Sequence, residues 1–560
     1  MTHWHRTTIV KRSLRSVERQ KRLPQFLNPF SYSLFSSLSI ALAVGAATPG
    51  LTAERLNLRL GPFEQSVSIG DLERFAKTGE VSSTLQLYAP VLTPEVRKLL
   101  TSRLQLDPNF GEQIVNDLLK SPSGRQLLSS LQKAVPELTV EQIQAGFWLA
   151  ARQANGLDAI AVFKAIPQET VTIDVSQAIG IASQLNFSYW KSQAVSSLLE
   201  RSLKTEGTDF RSSFDPAALG AELVQQQTLT LYDRARNRSL PVDLYWSGKT
   251  QGSLVVLVPG FEANRKFLAY LARHLASHGL TVAAIEHPST SRNSSPISLN
   301  LDQLVPAKEF IDRPQDIRFI LDELTRLNQE SGSLQGKLNT QQVTVIGHSL
   351  GGYEALALAG AELNLDQLRQ FCQSSNLLQR VPADWLQCAA TGLSEHRLSL
   401  RDPRVGQAIA LNPAIGQIFG KSGLSQVATP TLILTGTDDT LAPAFSQQLQ
   451  PFAQLPNPKY LLTAIGSTHL SVSDPTSFGG AIVQGTLVKE RRGQDVEPLR
   501  RLLQGVSLAF IKQASPEAKT YAPFLTSAYA QSLSSPALPL RLNRELPTNL
   551  TRLFMLTSLL

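Results

Sequence analysis

Long apolar runs, clustered positive charge and cysteine are all scarce in this sequence, and each shortage narrows what the protein can be. After residue 53 no run is long and apolar enough to span a bilayer, which takes about 20 residues. Low-complexity tracts are absent, and 42% apolar with 18% charged residues is an ordinary globular balance. The net charge of +8 is local: residues 1–53 carry seven Lys/Arg against one acid, which leaves +2 for the rest. A basic pI located there gives no argument for a nucleic-acid partner. Residues 54–205 contain neither His nor Cys and no glycine-rich phosphate loop, so no metal or nucleotide chemistry is expected from them. Cys372 and Cys388 are the only thiols.

What is present divides the 560 residues into parts. A basic segment ending near Arg22, an apolar segment densest from Leu38 to Ala47, and small residues up to Ala53 have the layout of a secretory signal peptide. Cleavage is expected after Ala47 or Ala53, with an uncleaved signal anchor as the alternative. The protein is therefore expected in the periplasm or outside the cell. In that setting the even pair Cys372 and Cys388 is expected to form a disulfide. Residues 54–205 open with an alternating strand at Arg55–Leu60 and a hairpin partner at Phe63–Ile69. They continue as helices around Thr93–Leu104, Glu112–Leu119, Gly124–Lys133 and Val140–Ala154. A short strand at Val171–Val175 precedes a last helical stretch, Ser176–Leu203. Residues 206–224 read as a linker. From 225 to 515 strands and helices alternate, with fully apolar runs such as Leu254–Val258, the pattern of a mostly parallel sheet covered on both faces. The fold class is thus α/β, with a smaller, mainly helical domain in front and a C-terminal tail, 516–560, behind.

The stretch Val343–Gly352 carries the chemistry. Four apolar or β-branched residues run into Gly347-His348-Ser349-Leu350-Gly351-Gly352, and a helical pattern follows. Strand, sharp turn and helix is the context of a nucleophile elbow, which presents a serine hydroxyl at the tip of a strained turn. Gly347 and Gly351 sit where a Cβ would crowd that tip. A serine needs a base to take its proton and an acid to hold the base. In the fold that carries such elbows the partners follow in the order acid, then histidine. Only His396 and His469 follow Ser349. His469, in a loop just after the strand Tyr460–Ile465, is the candidate base. Gly436-Thr437-Asp438-Asp439-Thr440-Leu441-Ala442-Pro443 directly follows the strand at Thr431–Leu434, and its spacing selects Asp439 as the acid. Asp438 is expected to be a solvated or turn-capping neighbour. The oxyanion hole needs two backbone N–H groups. Leu350, after the nucleophile, supplies one, and Phe261, in Val258-Pro259-Gly260-Phe261-Glu262 after the apolar strand, is the candidate for the other. This chemistry calls for no metal and no cofactor.

Together these residues resemble the α/β-hydrolase superfamily, with a lipase/esterase-type elbow. Leu275-Ala276-Ser277-His278-Gly279, Val282-Ala283-Ala284-Ile285-Glu286-His287 and Asp233-x-Ala235-Arg236-Asn237-Arg238 with Pro241-Val242 are similar to the plasma-type platelet-activating factor acetylhydrolases and the dienelactone hydrolase-like group. The resemblance covers about residues 225–515. In the acetylhydrolases the acid follows the strand after the elbow strand, and here that place is Asn412, so the role passes to Asp439. A dienelactone hydrolase would carry a cysteine nucleophile, which this elbow lacks. Residues 53–203 resemble an uncharacterised helical domain found ahead of α/β-hydrolases in cyanobacteria.

About residues 360–403 form an insertion rich in Leu368, Phe371, Leu377, Leu378, Trp385 and Leu386. It is expected to cap the pocket and to be stapled by Cys372–Cys388. The apolar cap, a Phe261 wall and the lack of an Arg/Lys cluster at the elbow favour small-molecule or lipid esters. The tail ends in Phe554–Leu560 and is a candidate for docking on the body or for peripheral membrane contact. The sequence thus reads as an exported serine esterase or lipase. The alternatives are an inactive envelope scaffold, and an acyltransferase or peptidase with the same triad.

Overall fold

Nine strands form the sheet that carries the site. The computed structural model describes residues 53–550 except 62, 91, 93, 102–118, 120–121, 152–157, 183–186, 206–209, 249, 251, 289–304, 375–379, 477–489 and 549. The leader, the helix expected at 112–119 except Leu119, Leu377 and Leu378, and the last residues 551–560 lie outside the described residues. From Thr52 onward the chain forms one compact unit.

The N-terminal part builds a three-stranded sheet from β1 (Arg55–Leu60), β2 (Phe63–Ser68) and β3 (Thr170–Asp174), in the order β2-β1-β3. The hairpin β1–β2 is antiparallel, and β3 returns parallel to β1 after the helices. Those helices include Ile69–Thr78, where Ser68 Oγ accepts from the Asp71 N–H at 3.0 Å and Gly79 ends the helix at φ 83. An apolar cluster of its own, from Ala53 to Val175, fills this part.

The last helix before the hydrolase strands, Phe187–Ser202, belongs elsewhere: Val195, Leu199 and Leu203 are buried in the core of the large sheet. Their spacing, with Ser192 and Ser196 beside them, is one helical face.

The large sheet contains β4 (Gln225–Asp233), β5 (Arg238–Trp246), β6 (Leu254–Val258), β7 (Thr281–Ile285) and β8 (Val343–His348). After a small antiparallel pair, β9 (Glu362–Asn364) and β10 (Arg397–Ser399), come β11 (Val405–Leu411), β12 (Thr431–Gly436), β13 (Lys459–Ala464) and β14 (Leu540–Asn543). The order is β14-β13-β12-β11-β8-β6-β7-β5-β4. From β7 through β13 the neighbours are parallel, while β5 and β4 at one end and β14 at the other pair antiparallel. Alternate residues serve opposite faces. Leu254, Val256 and Val258 enter one apolar cluster, and Val255 and Leu257 the other. That two-sided burial is why the parallel strands read as continuous apolar runs.

The stretch read as a tail supplies β14 and the helix Ser527–Ser532. Tyr521, Phe524 and Tyr529 lie in the second cluster, and Phe210 of the expected linker packs its ring, tilted, against Phe524 and Tyr529 at centroid distances of 5.7 and 5.1 Å. Among the described residues no helix is long and apolar enough to cross a membrane.

Candidate active site

The elbow is built by close approach of backbone to backbone. Ser349 directly follows β8 at φ 55, ψ −116, an uncommon conformation for a residue with a Cβ. Such strain costs about 1–3 kcal/mol and is held only by surrounding structure. A Cβ on Gly347 would stand 1.9 Å from the Gly351 carbonyl oxygen, and one on Gly351 would stand 2.5 Å from that of Val258. The helix Leu350–Ala359 therefore starts against the end of β6, which presents the Pro259-Gly260-Phe261 corner beside the serine. At Gly260 a Cβ would lie 3.0 Å from His348 Nδ1 and 3.1 Å from Ser349 Cβ. The N–H groups of Leu350 and Phe261 thus belong to two segments pressed together at the serine. Phe261 packs half-buried against the larger apolar cluster.

The candidate acid and base are joined. His469 Nδ1 donates to Asp439 Oδ2 at 2.6 Å, so the lone pair of the neutral ring is on Nε2. Asp439 is fully buried. Its other oxygen accepts from the N–H groups of Leu441 at 2.9 Å and Ala442 at 2.7 Å. Burial opposes the imidazolium form of His469, but the charge and hydrogen bond of Asp439, helped by Glu490, outweigh it and lift His469 above its ordinary value. Ser349 is 8% exposed and His469 5%, so little bulk water reaches the pair.

Three further side chains, His348 of the elbow, Asn412 and Glu490, hold the histidine loop in place. His348 Nε2 lies 3.0 Å from the His469 carbonyl oxygen and donates to it, and the two rings are 4.7 Å apart. Burial holds His348 well below the usual histidine range, so its ring is neutral. Asn412, at the end of β11, donates from Nδ2 to the carbonyls of Thr468 and His469 at 3.3 and 3.1 Å. Its Oδ1 accepts from Gly436 N at 2.9 Å, at the end of β12. Glu490 Oε2 accepts from Thr468 Oγ1 at 2.6 Å and Leu470 N at 3.0 Å, and burial raises its pKa.

Behind the elbow lies a buried ionic group. Arg313 Nε donates to Glu354 Oε1 at 2.7 Å, and its NH2 donates to the Pro259 carbonyl at 3.0 Å. His287 puts Nδ1 2.9 Å from Asp316 and Nε2 3.0 Å from Glu354. Burial and the Arg313 charge oppose protonation there, but the two carboxylates prevail and raise its pKa. Arg238 pairs with Asp316 and Glu309. The group ties the elbow helix, which carries Glu354, to the corner that carries Phe261.

Of the residues picked from sequence, Ser349, Leu350 and Phe261 converge at the elbow, and Asp439 and His469 pair beside it. Cys372 and Cys388 are joined by a disulfide, with 5.9 Å between Cα atoms. It links the two helices of the insertion, Leu365–Ser374 and Pro382–Cys388. His396 pairs with Asp366 at the surface. One expectation changes. Asp438, read as solvated or turn-capping, is buried, and burial raises its pKa; Gln193 donates to its Oδ1 at 2.9 Å. Gln193 belongs to the N-terminal stretch, from which no metal or nucleotide chemistry was expected. Glu490, Gln193 and Arg313 escaped the sequence reading. Only Arg313 had a local signal, as a charged residue in register with Phe310 and Ile317 on the apolar face of the helix Glu309–Gln329.

Residues 52–174 match the family model described as an alpha/beta hydrolase of unknown function (DUF1400), and residues 255–481 match that of an alpha/beta hydrolase family. The chain is 24% identical over 228 residues to cutinase 2 of Thermobifida cellulosilytica, covering 40% of this chain and 63% of that protein. It is likewise 24% identical over 228 residues to cutinase cut1 of Thermobifida fusca, covering 40% and 52%. The match thus spans between half and two thirds of these relatives' length. With this sheet order, this elbow and these family matches, the chain belongs to the α/β-hydrolase superfamily.

Proposed function

We propose that the protein is an exported serine hydrolase that cleaves carboxylic esters through an acyl-enzyme. The observation that carries the reading is the 2.6 Å bond between His469 Nδ1 and Asp439 Oδ2 beside a serine at φ 55. Ser349 Oγ attacks the ester carbonyl carbon while His469 Nε2 takes its proton. The imidazolium so formed faces Asp439. The oxyanion accepts from the N–H groups of Phe261 and Leu350, at the start of the helix Leu350–Ala359, where the backbone dipole favours negative charge. Collapse expels the alcohol, protonated by His469. Water, deprotonated by the same ring, then attacks the acyl-enzyme and releases the acid and Ser349.

The insertion at 360–403 is proposed as the cap that selects the substrate. Leu365, Leu368, Val381 and Leu386 are buried in the larger core cluster, and the N–H of Ala383 donates to the carbonyl of Leu441 in the acid loop at 2.9 Å. The relatives' name, cutinase, favours an ester substrate, and the apolar insertion favours an uncharged or lipid-like one. The disulfide supports an oxidising compartment. The test is a p-nitrophenyl ester series from acetate to palmitate. Turnover with a maximum at one chain length, lost in Ser349→Ala, is expected; no turnover of any ester by folded protein would remove the reading.

A further inference from the structure

The acid loop is clamped at both ends by one helix from outside both matched segments. That helix, Phe187–Ser202, lies after residue 174 and before residue 255. Gln193 Nε2 donates to the Thr437 carbonyl at 2.6 Å and to Asp438 Oδ1 at 2.9 Å. Ser196 Oγ donates to Thr437 Oγ1 at 3.0 Å. At the other end, Ser192 Oγ accepts from Phe445 N at 2.9 Å. Asp439 lies between these anchor points. Its carboxylate takes its own bonds from the N–H groups of Leu441 and Ala442, inside the clamped span.

We propose that Gln193 is a positioning residue for the Asp439 carboxylate, and that the helix Phe187–Ser202 is a working part of the active site. The proposal deepens the hydrolase reading and rests on it only for turnover. Several features argue against simple docking. Apolar contact by Val195, Leu199 and Leu203 would suffice to hold a helix on a core. Gln193 instead spends both amide hydrogens on two consecutive residues of the acid loop, and it is 4% exposed. A buried amide with both hydrogens engaged fixes its acceptors in direction as well as distance. The helix is itself held from the far side: Arg541 of β14 donates to the Glu200 carbonyl at 3.2 Å, and Gln531 exchanges two hydrogen bonds with the Thr205 backbone. The tail therefore fixes the helix, and the helix fixes the acid loop.

The variant that isolates this role in the full chain is Gln193→Met, which keeps length and removes the donors. Loss of the clamp lets the Asp439 carboxylate shift relative to the imidazole, and misplacement of about 1 Å can lower a rate about a hundredfold. The expected result is a kcat lowered about ten- to a hundredfold with KM within about twofold, and slower labelling by a fluorophosphonate. The His469 titration midpoint, followed by NMR on histidine-labelled protein and assigned with His469→Gln, is expected to fall as the paired carboxylate moves off. Ser197→Ala, on the same helix, is the control. If Gln193→Met does not fold, the milder Ser192→Ala/Ser196→Ala protein takes its place, with a smaller change in the same direction. Unaltered kcat and His469 midpoint in the folded variant would overturn the proposal. If wild-type protein neither labels nor turns over esters, the hydrolase reading fails, and the His469 midpoint still decides whether Gln193 positions Asp439.

Discussion

Asn412 donates from its side chain to the backbone carbonyl of His469 at 3.1 Å while its own carbonyl accepts from Gly436 N at 2.9 Å. One amide thus joins the end of the strand before Asp439 to the loop that carries His469. Asn412 sits at φ 43, a conformation that asparagine tolerates better than most residues. An aspartate in its place would aim an acceptor at two carbonyl oxygens. Asn412→Asp is expected to lose about 1–3 kcal/mol of stability and at least about tenfold in kcat, measured by denaturant melts and ester kinetics. The double variant Asp439→Asn/Asn412→Asp should stay as inactive as Asp439→Asn alone, because the Asn412 side chain is directed at the loop backbone.

Glu490 is expected to contribute to the acidic limb of the pH profile. In the proposed mechanism the base works as the neutral ring, so activity falls as pH drops through the His469 pKa. Asp439 and Glu490 raise that pKa against burial. In Glu490→Gln the amide oxygen can still accept from Thr468 and Leu470, and only the charge is lost. The acidic limb of kcat/KM should move to lower pH, with the plateau little changed. A limb that stays in place would show that Glu490 does not act on His469 through charge.

Asp384 is expected to make the stability of the insertion depend on pH. Its carboxylate accepts from Val381 N at 3.1 Å and Gln447 Nε2 at 2.7 Å, and burial lifts its pKa to about 6. A raised folded pKa contributes stability below the unfolded value, and this is lost as pH rises through about 6. The full swing is about 3 kcal/mol. Wild-type Tm relative to Asp384→Asn is therefore expected to be higher at pH 4.5 than at pH 7.5. A constant difference across that range would exclude the titration.

Arg313 is expected to matter twice. Its side chain is 1% exposed and that of Glu354 is fully buried. Arg313→Met would leave Glu354 and the Pro259 carbonyl without this partner, at a cost of about 3–5 kcal/mol. Because Pro259 leads into the Gly260-Phe261 corner, kcat should fall more than KM rises. Glu354→Gln is the milder change, since it keeps an acceptor for Arg313. Urea melts of both variants give the ranking.

How far the sequence revealed this arrangement depends on the range of the interaction. The elbow was legible because its requirements are local: glycines two residues either side of Ser349, a strand before and a helix after. The candidate acid and base, Asp439 and His469, could be picked out because each lies in a short loop directly after an apolar strand. Burial of Asp438 was not legible, because Gln193 lies 245 residues away in sequence and leaves no local pattern. The same holds for Asn412, whose position showed where an acid was missing but not that it ties two loops together. The stretch after 515 read as a tail because β14 is an edge strand of only 4 residues, too short for its alternation to mark it, and only its register against β13 gives it a place.

The central claim is that Ser349 is the nucleophile, activated by His469 and Asp439. Its most direct test is the intact mass of the full chain after reaction with a fluorophosphonate, followed by peptide mapping. The account predicts one adduct per chain, located on Ser349, abolished by Ser349→Ala and strongly slowed by His469→Gln. Folded wild-type protein without an adduct, or with an adduct on another residue, would contradict it.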